Sequence, residues 1–116
     1  MAMELRLEEI DHTLVILHVS GEFYLNDIAE VEEVWRKASG LFPATIAIDC
    51  AGLTAIDSSA IGTMVKFFNS ASVKKITLVL YGLGDDLRQL FSRAKLDRFF
   101  RIMSSADFEE EFLYYK

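Results

Sequence analysis

Two short runs rich in β-branched and aliphatic residues, Thr45 to Cys50 and Ile76 to Leu80, bracket a segment in which Ile61, Met64, Val65 and Phe68 recur at three- and four-residue spacing. Each run has strand length, and the segment between them has helix period, so the unit is strand, helix, strand. Two strands joined through a helix favour parallel pairing with a right-handed crossover, and so an α/β fold for the chain.

The flanks extend the same alternation. Leu5 to Ile10 and Thr13 to Ser20 alternate or run apolar around a polar break at Asp11-His12, which predicts an N-terminal β-hairpin ended by Gly21. From about Asn26 to Ser39, Ile28, Val31, Val34 and Trp35 form a helical stripe with acids early and Arg36 and Lys37 late, as the helix dipole favours; Gly40 and Pro43 stop it. The strand Thr45 to Cys50 exits through a turn at Ala51-Gly52, and the helix after it runs to about Ser72. Asp85 or Asp86 caps a third helix carrying Leu87, Leu90, Phe91 and Ala94; Phe99 to Met103 is a last short strand and Ala106 to Tyr115 a closing helix. The expected fold is one α/β domain over residues 1–116, with a four- to five-stranded mixed sheet, parallel central strands and about four helices. Its 116 residues with 52% hydrophobic content suffice for one core.

Composition removes several functions. A formal net charge of −6 argues against nucleic acid as the partner, since phosphate backbones are bound by clustered Lys and Arg. No apolar run approaches the roughly 20 residues that span a bilayer, and "MAMELRLEEI" carries acids where a signal peptide is basic, so a cytoplasmic protein without a membrane partner is expected. Cys50 is the single cysteine, expected as a buried reduced thiol. The acids Asp27, Glu30, Glu32 and Glu33, those at 109–111, and the basic residues Arg88, Arg93, Lys95, Arg98 and Arg101 read as solvated faces with some mutual pairing. His12 and His18, both on the hairpin, lack a third metal ligand and read as solvent-facing; Ser58 lies outside Gly-x-Ser-x-Gly, so no hydrolase is indicated. Gly82-Leu83-Gly84-Asp85-Asp86 lacks the third glycine of a dinucleotide loop and reads as a turn and helix cap.

The remaining feature is Asp57-Ser58-Ser59, placed beyond the carboxyl end of a central strand, where open α/β sheets present their sites. Helix N-capping accounts for one or two of these polar residues. The same unpaired N–H groups also suit a phosphate carried by a serine, whose roughly −1.5 to −2 charges can repel a docked partner without refolding the chain.

"IDCAGLTAIDSSAIGTMV" resembles the signature of the STAS domain family, "VILHVSGEF" its second strand and Gly-Glu turn, and "LRQLFSRAKLDRFFRI" its third helix and following strand. The resemblance covers essentially the whole chain in order, and at this length is to bacterial anti-sigma factor antagonists. It implies a non-enzymatic partner switch. The unphosphorylated form binds an anti-sigma factor that is a serine kinase of the histidine-kinase-like ATPase fold, phosphorylation at Ser58 releases it, and a metal-dependent serine phosphatase restores it. The chain itself needs no cofactor. On this reading Asp57 orients the hydroxyl or engages the kinase, Ser59 supports the helix start, and Gly21, Glu22 and Phe67 contribute to partner binding. Phe67 and Phe68 are adjacent on a helix and do not both face one core; Phe67 either anchors a partner or covers a neighbouring helix. Tyr114 and Tyr115 support a homodimer or close the last helix. The sequence departs from the family pattern at Tyr24, where an acid often stands after Gly-Glu-Leu, and at Ala60, where glycine is usual. A second reading is an unmodified STAS scaffold in a signalling assembly or a lipid ABC transporter.

Overall fold

A computed structural model describes residues 1–114. The elements are β1 (Glu4–Asp11), β2 (Leu14–Phe23), α1 (Ile28–Gly40), β3 (Thr45–Ile56), α2 (Ser58–Lys74), β4 (Thr77–Tyr81), α3 (Asp85–Arg93), β5 (Arg101–Met103) and α4 (Ser105–Phe108), the last continuing into a π-helical turn Glu109–Leu113. The five strands lie in the order β1-β2-β3-β4-β5, with β1 antiparallel to β2 and the others parallel. The expected α/β architecture with an N-terminal hairpin is therefore observed.

Side-chain alternation divides the core in two. Val15, Leu17 and Val19 on β2, Ile46, Ile48 and Cys50 on β3, and Leu78 and Leu80 on β4 face α1, α2 and α3. Leu14, Ile16, Ala47, Val79 and Tyr81 face the other way and are covered by Phe108, whose ring stacks on Tyr81 at 3.9 Å. Leu14 to Leu17 are buried one after another because both faces of β2 are covered there. Burial pushes the Cys50 thiol up to about 12, with Asp49 adding to the shift, so it stays protonated.

Four boundaries differ from the sequence reading. β2 does not end at Gly21 and β3 does not turn at Ala51-Gly52. The two strands pair on to Phe23 and Ile56 through irregularities that place one extra β3 residue between His18/Asp49 and Ser20/Gly52, and another between Gly21/Leu53 and Glu22/Ala55. The glycines permit this bulged pairing and do not terminate it. Gly21 has φ +81°, and a Cβ there would lie 2.4 Å from the Ala2 carbonyl oxygen; one on Gly52 would lie 2.7 Å from Ser20 Cβ. At α3 the N-cap is Gly84, with Asp85 and Asp86 in the first turn, where Asp85 pairs with Arg88 at 2.8 Å. Strand β5 is three residues long, because the turn Leu96–Arg98 takes up the chain before it and Phe100 is drawn into the core. Tyr114 is exposed and donates to Glu109 at 3.1 Å; Tyr115 lies outside the described residues.

Phe67 is not a partner-facing anchor. It is 3% exposed and stacks on Trp35 of α1 at 4.5 Å, while half-buried Phe68 meets Phe99 and Phe100 edge-on at 5.8 and 6.0 Å. Helix α2 lies between α1 on one side and the α3–β5 connection on the other, so its two adjacent rings turn to different neighbours. Phe67→Ala is expected to cost about 3–5 kcal/mol in urea unfolding, as for other buried rings. A loss below about 1 kcal/mol would remove Phe67 from the core.

Candidate functional site

The site is built where the bulged ends of β2 and β3 reach the start of α2. Asp57 is the N-cap of α2, with extended backbone, and its Oδ1 accepts from the Ala60 amide at 2.8 Å. Its Oδ2 accepts from the Leu25 amide at 3.0 Å, in the turn after β2. The Asp57 amide itself donates to the Phe23 carbonyl at 3.4 Å. One carboxylate thus clamps the start of α2 to the β2–α1 connection, using both oxygens on backbone donors.

This arrangement gives the three polar residues different work. Asp57 is the cap. Ser58 is the first helical residue and is exposed; its hydroxyl has no hydrogen-bond partner among the described residues. Ser59 is half-buried and its carbonyl accepts from the Thr63 hydroxyl at 3.0 Å. The first intrahelical bond runs from the Ile61 amide to the Asp57 carbonyl, which leaves the Ser58 and Ser59 amides at the open end of the helix dipole. Ala60 is fully buried, so its methyl packs inward and does not reach the site surface.

Of the other sequence candidates, Glu22 reaches the same end. Its Oε2 accepts from the Tyr24 hydroxyl at 3.0 Å and its Oε1 lies 2.6 Å from the Met1 amino group. The bond from that amino group, then the one from Tyr24, hold the Glu22 carboxyl below its ordinary range, and Glu22 in turn raises the Tyr24 phenol. Gly21 is buried behind this surface, its carbonyl accepting from the Thr54 hydroxyl at 3.1 Å; its part is to shape β2. Asp27 folds back to accept from the Tyr24 amide at 3.0 Å, which turns Tyr24 and Leu25 outward, 38% and 63% exposed. The resulting surface is apolar at Tyr24 and Leu25, acidic around them, and carries the free Ser58 hydroxyl.

One cluster was not legible in the sequence. His18 is half-buried on the sheet face opposite α1–α3 and is not solvent-facing. Its Nδ1 is 2.7 Å from Asp49 Oδ2 and its Nε2 is 2.7 Å from Glu8 Oε1, so the ring links edge strand β1 to central strand β3. Glu8 and His18 sit two pairs apart in the hairpin register, and His18 pairs with Asp49 across β2 and β3; only the register reveals the trio. Among the described residues no group of three or more His, Cys, Asp or Glu side chains is arranged to hold a metal ion.

A family model for the STAS domain matches residues 4–108. The chain belongs to the STAS domain family. It is 29% identical over 94 residues, 78% of either chain, to a Listeria monocytogenes protein named anti-sigma-B factor antagonist. The structure of an anti-sigma factor antagonist from Mycobacterium paratuberculosis superposes with a TM-score of 0.78 at 16% identity, covering 88% of this chain and 86% of that one. The Bacillus cell fate determinant SpoIIAA in its phosphorylated form gives 0.71 at 16% identity, covering 92% and 97%. At such identities these two structures share the STAS fold with this chain.

The two-oxygen clamp generates a prediction for this STAS domain. Asp57→Ala is expected to cost about 1–2 kcal/mol, the upper part of the range for a lost N-cap, and to raise hydrogen exchange at both the Ala60 and Leu25 amides. Exchange that rises at Ala60 alone would show that the β2–α1 connection does not depend on Asp57.

Proposed function

We propose that this STAS domain is an anti-sigma factor antagonist, a regulatory binding protein whose binding is switched by phosphorylation of Ser58. The observation that carries the reading is the free, exposed Ser58 hydroxyl on the first turn of α2, beside an aspartate whose two oxygens are already occupied. Such a serine is accessible to a kinase while its helix start stays capped.

The geometry sets the division of labour in the modification. Phosphoryl transfer forms a bond from Ser58 Oγ to the γ-phosphorus of ATP as the bond to ADP breaks, and the hydroxyl proton must leave to a base. Asp57, committed to the Ala60 and Leu25 amides, serves as the rigid support of the hydroxyl, so the base and the nucleotide site belong to the kinase. The product phosphate gains from the Ser58 and Ser59 amides and the positive end of α2. It also adds about −1.5 to −2 charges to a surface already holding Glu22, Asp27 and Asp57. A partner seated against Tyr24, Leu25 and α2 is then repelled, while the core beneath is untouched. The partner on this reading is an anti-sigma factor serine kinase of the histidine-kinase-like ATPase fold, and a metal-dependent serine phosphatase resets the switch.

In parallel pull-downs from native-cell lysate, the wild type and Ser58→Ala are expected to retain such a kinase, and folded Ser58→Asp to retain at least about tenfold less, a difference of about 1.4 kcal/mol. Equal retention of the same non-kinase partner by all three would make the protein an unmodified scaffold.

A further inference from the structure

Helices α1 and α2 end at the pole opposite Ser58, and each is closed by a non-glycine residue in left-handed backbone: Phe42 (φ +50°) after α1 and Lys75 (+59°) after α2. Glycine takes this conformation at a helix end without strain. Here an aromatic and a cationic side chain are kept in it, and a strained residue with an exposed side chain points to a use for that side chain.

The surroundings are apolar and basic. Phe42 is 71% exposed, Val73 84% and Leu41 46%. The Lys74 ammonium lies 5.7 Å from the centre of the Phe42 ring and 3.3 Å from Ser39 Oγ, which joins the end of α2 to the α1–β3 connection. Lys37, Lys74 and Lys75 are exposed around these apolar residues. In a chain of net charge −6, neither 36–48 nor 66–84 contains an acid. At the same end Asp11 accepts from the amides of its own hairpin turn.

We propose that this pole is a peripheral docking surface for an anionic lipid bilayer, with Phe42, Leu41 and Val73 entering the headgroup boundary and Lys37, Lys74 and Lys75 facing lipid phosphates. The apolar side chains stand exposed on turns at helix ends. Anchors of a rigid protein interface sit instead in well-packed pockets, whereas a bilayer yields around a protruding ring. Lysines, point charges on flexible stems, match the diffuse charge of a headgroup layer and do not need the planar, bidentate partners that arginine does. The contact is reversible and requires no spanning helix. It leaves Ser58 directed away from the bilayer and does not rest on the proposed partner switch.

The test is co-sedimentation of the full chain with vesicles of phosphatidylglycerol and phosphatidylcholine, or of phosphatidylcholine alone, at about 50 and about 500 mM salt. Binding is expected only to the anionic vesicles and only at low salt. Phe42→Gly, which removes the ring and relieves the backbone, and Lys37→Glu with Lys75→Glu are each expected to lower partitioning at least about tenfold with unchanged circular dichroism. Ser58→Asp should sediment as the wild type does. The proposal is overturned if the folded wild type does not sediment with anionic vesicles, or if these variants sediment equally. It is likewise overturned if the wild type ignores vesicles but binds poly-glutamate through the same residues, which would assign the pole to an acidic protein.

Discussion

The parallel pairing of β2 with β3 is the constraint on which the rest of the domain depends. Over its first half, Leu14 to Leu17 against Thr45 to Ile48, the pair is regular and buried on both faces, and it fixes which residues meet α1–α3 and which meet Phe108. Over its second half the register slips twice, always with the extra residue on β3. A bulged strand bends and twists more than a regular one, and bulges often sit beside functional sites because they re-aim the residues beyond them. In this domain the bulges aim Asp57 at the start of α2. Gly52 is needed because the slipped strands bring it too close to Ser20 for a Cβ, and Gly21 because β2 there runs against the backbone of Ala2, ahead of β1.

From that delivery point, the chemistry of the helix start is decided by elimination of donors and acceptors. Asp57 satisfies one amide of α2 and one of the β2–α1 turn, so its charge is absorbed by backbone donors and the helix dipole. The adjacent Ser58 is relieved of capping duty. In many helices a serine at this place is the cap, with its hydroxyl turned inward; moving that task one residue upstream is what leaves a hydroxyl available to solvent. Tyr24, where the family pattern often has an acid, engages Glu22 through its hydroxyl and leaves a partly exposed ring on the turn that Asp57 holds through the Leu25 amide. The surface around the start of α2 is therefore less charged at its centre than at its margins.

What the sequence made legible was period and order: the hairpin, the strand–helix alternation, the parallel centre and the Asp-Ser-Ser loop at the carboxyl end of β3. The errors share a cause, which is that local residue preference does not contain tertiary pairing. Gly21 and Ala51-Gly52 look like punctuation, yet a neighbouring strand converts them into bulges. Phe67 next to Phe68 looks like one ring too many for a helix with a single buried stripe, but α2 has packed neighbours on two sides. Asp85 and Asp86 have the right chemistry for a cap, while Gly84 occupies that place with extended backbone and the acids take the first turn. The Glu8–His18–Asp49 row is written across three strands, and no spacing along the chain records it.

The parallel topology also sorts charge. Because the central strands run the same way, every α-helix between them starts at one end of the sheet and finishes at the other, and dipole preference draws acids to starts and bases to ends. Glu22, Asp27, Asp57, Asp85 and Asp86 gather at the Ser58 end, and Lys37, Lys74 and Lys75 at the other. The polarity thus arises first from helix stabilisation, at no separate cost to the fold. Helix dipoles account for the lysines at the basic pole but not for Phe42, Leu41 and Val73, which gain nothing from a dipole and are exposed to water. Those three side chains are the part of this surface that folding alone does not explain, and they stand where the charge already favours an anionic partner.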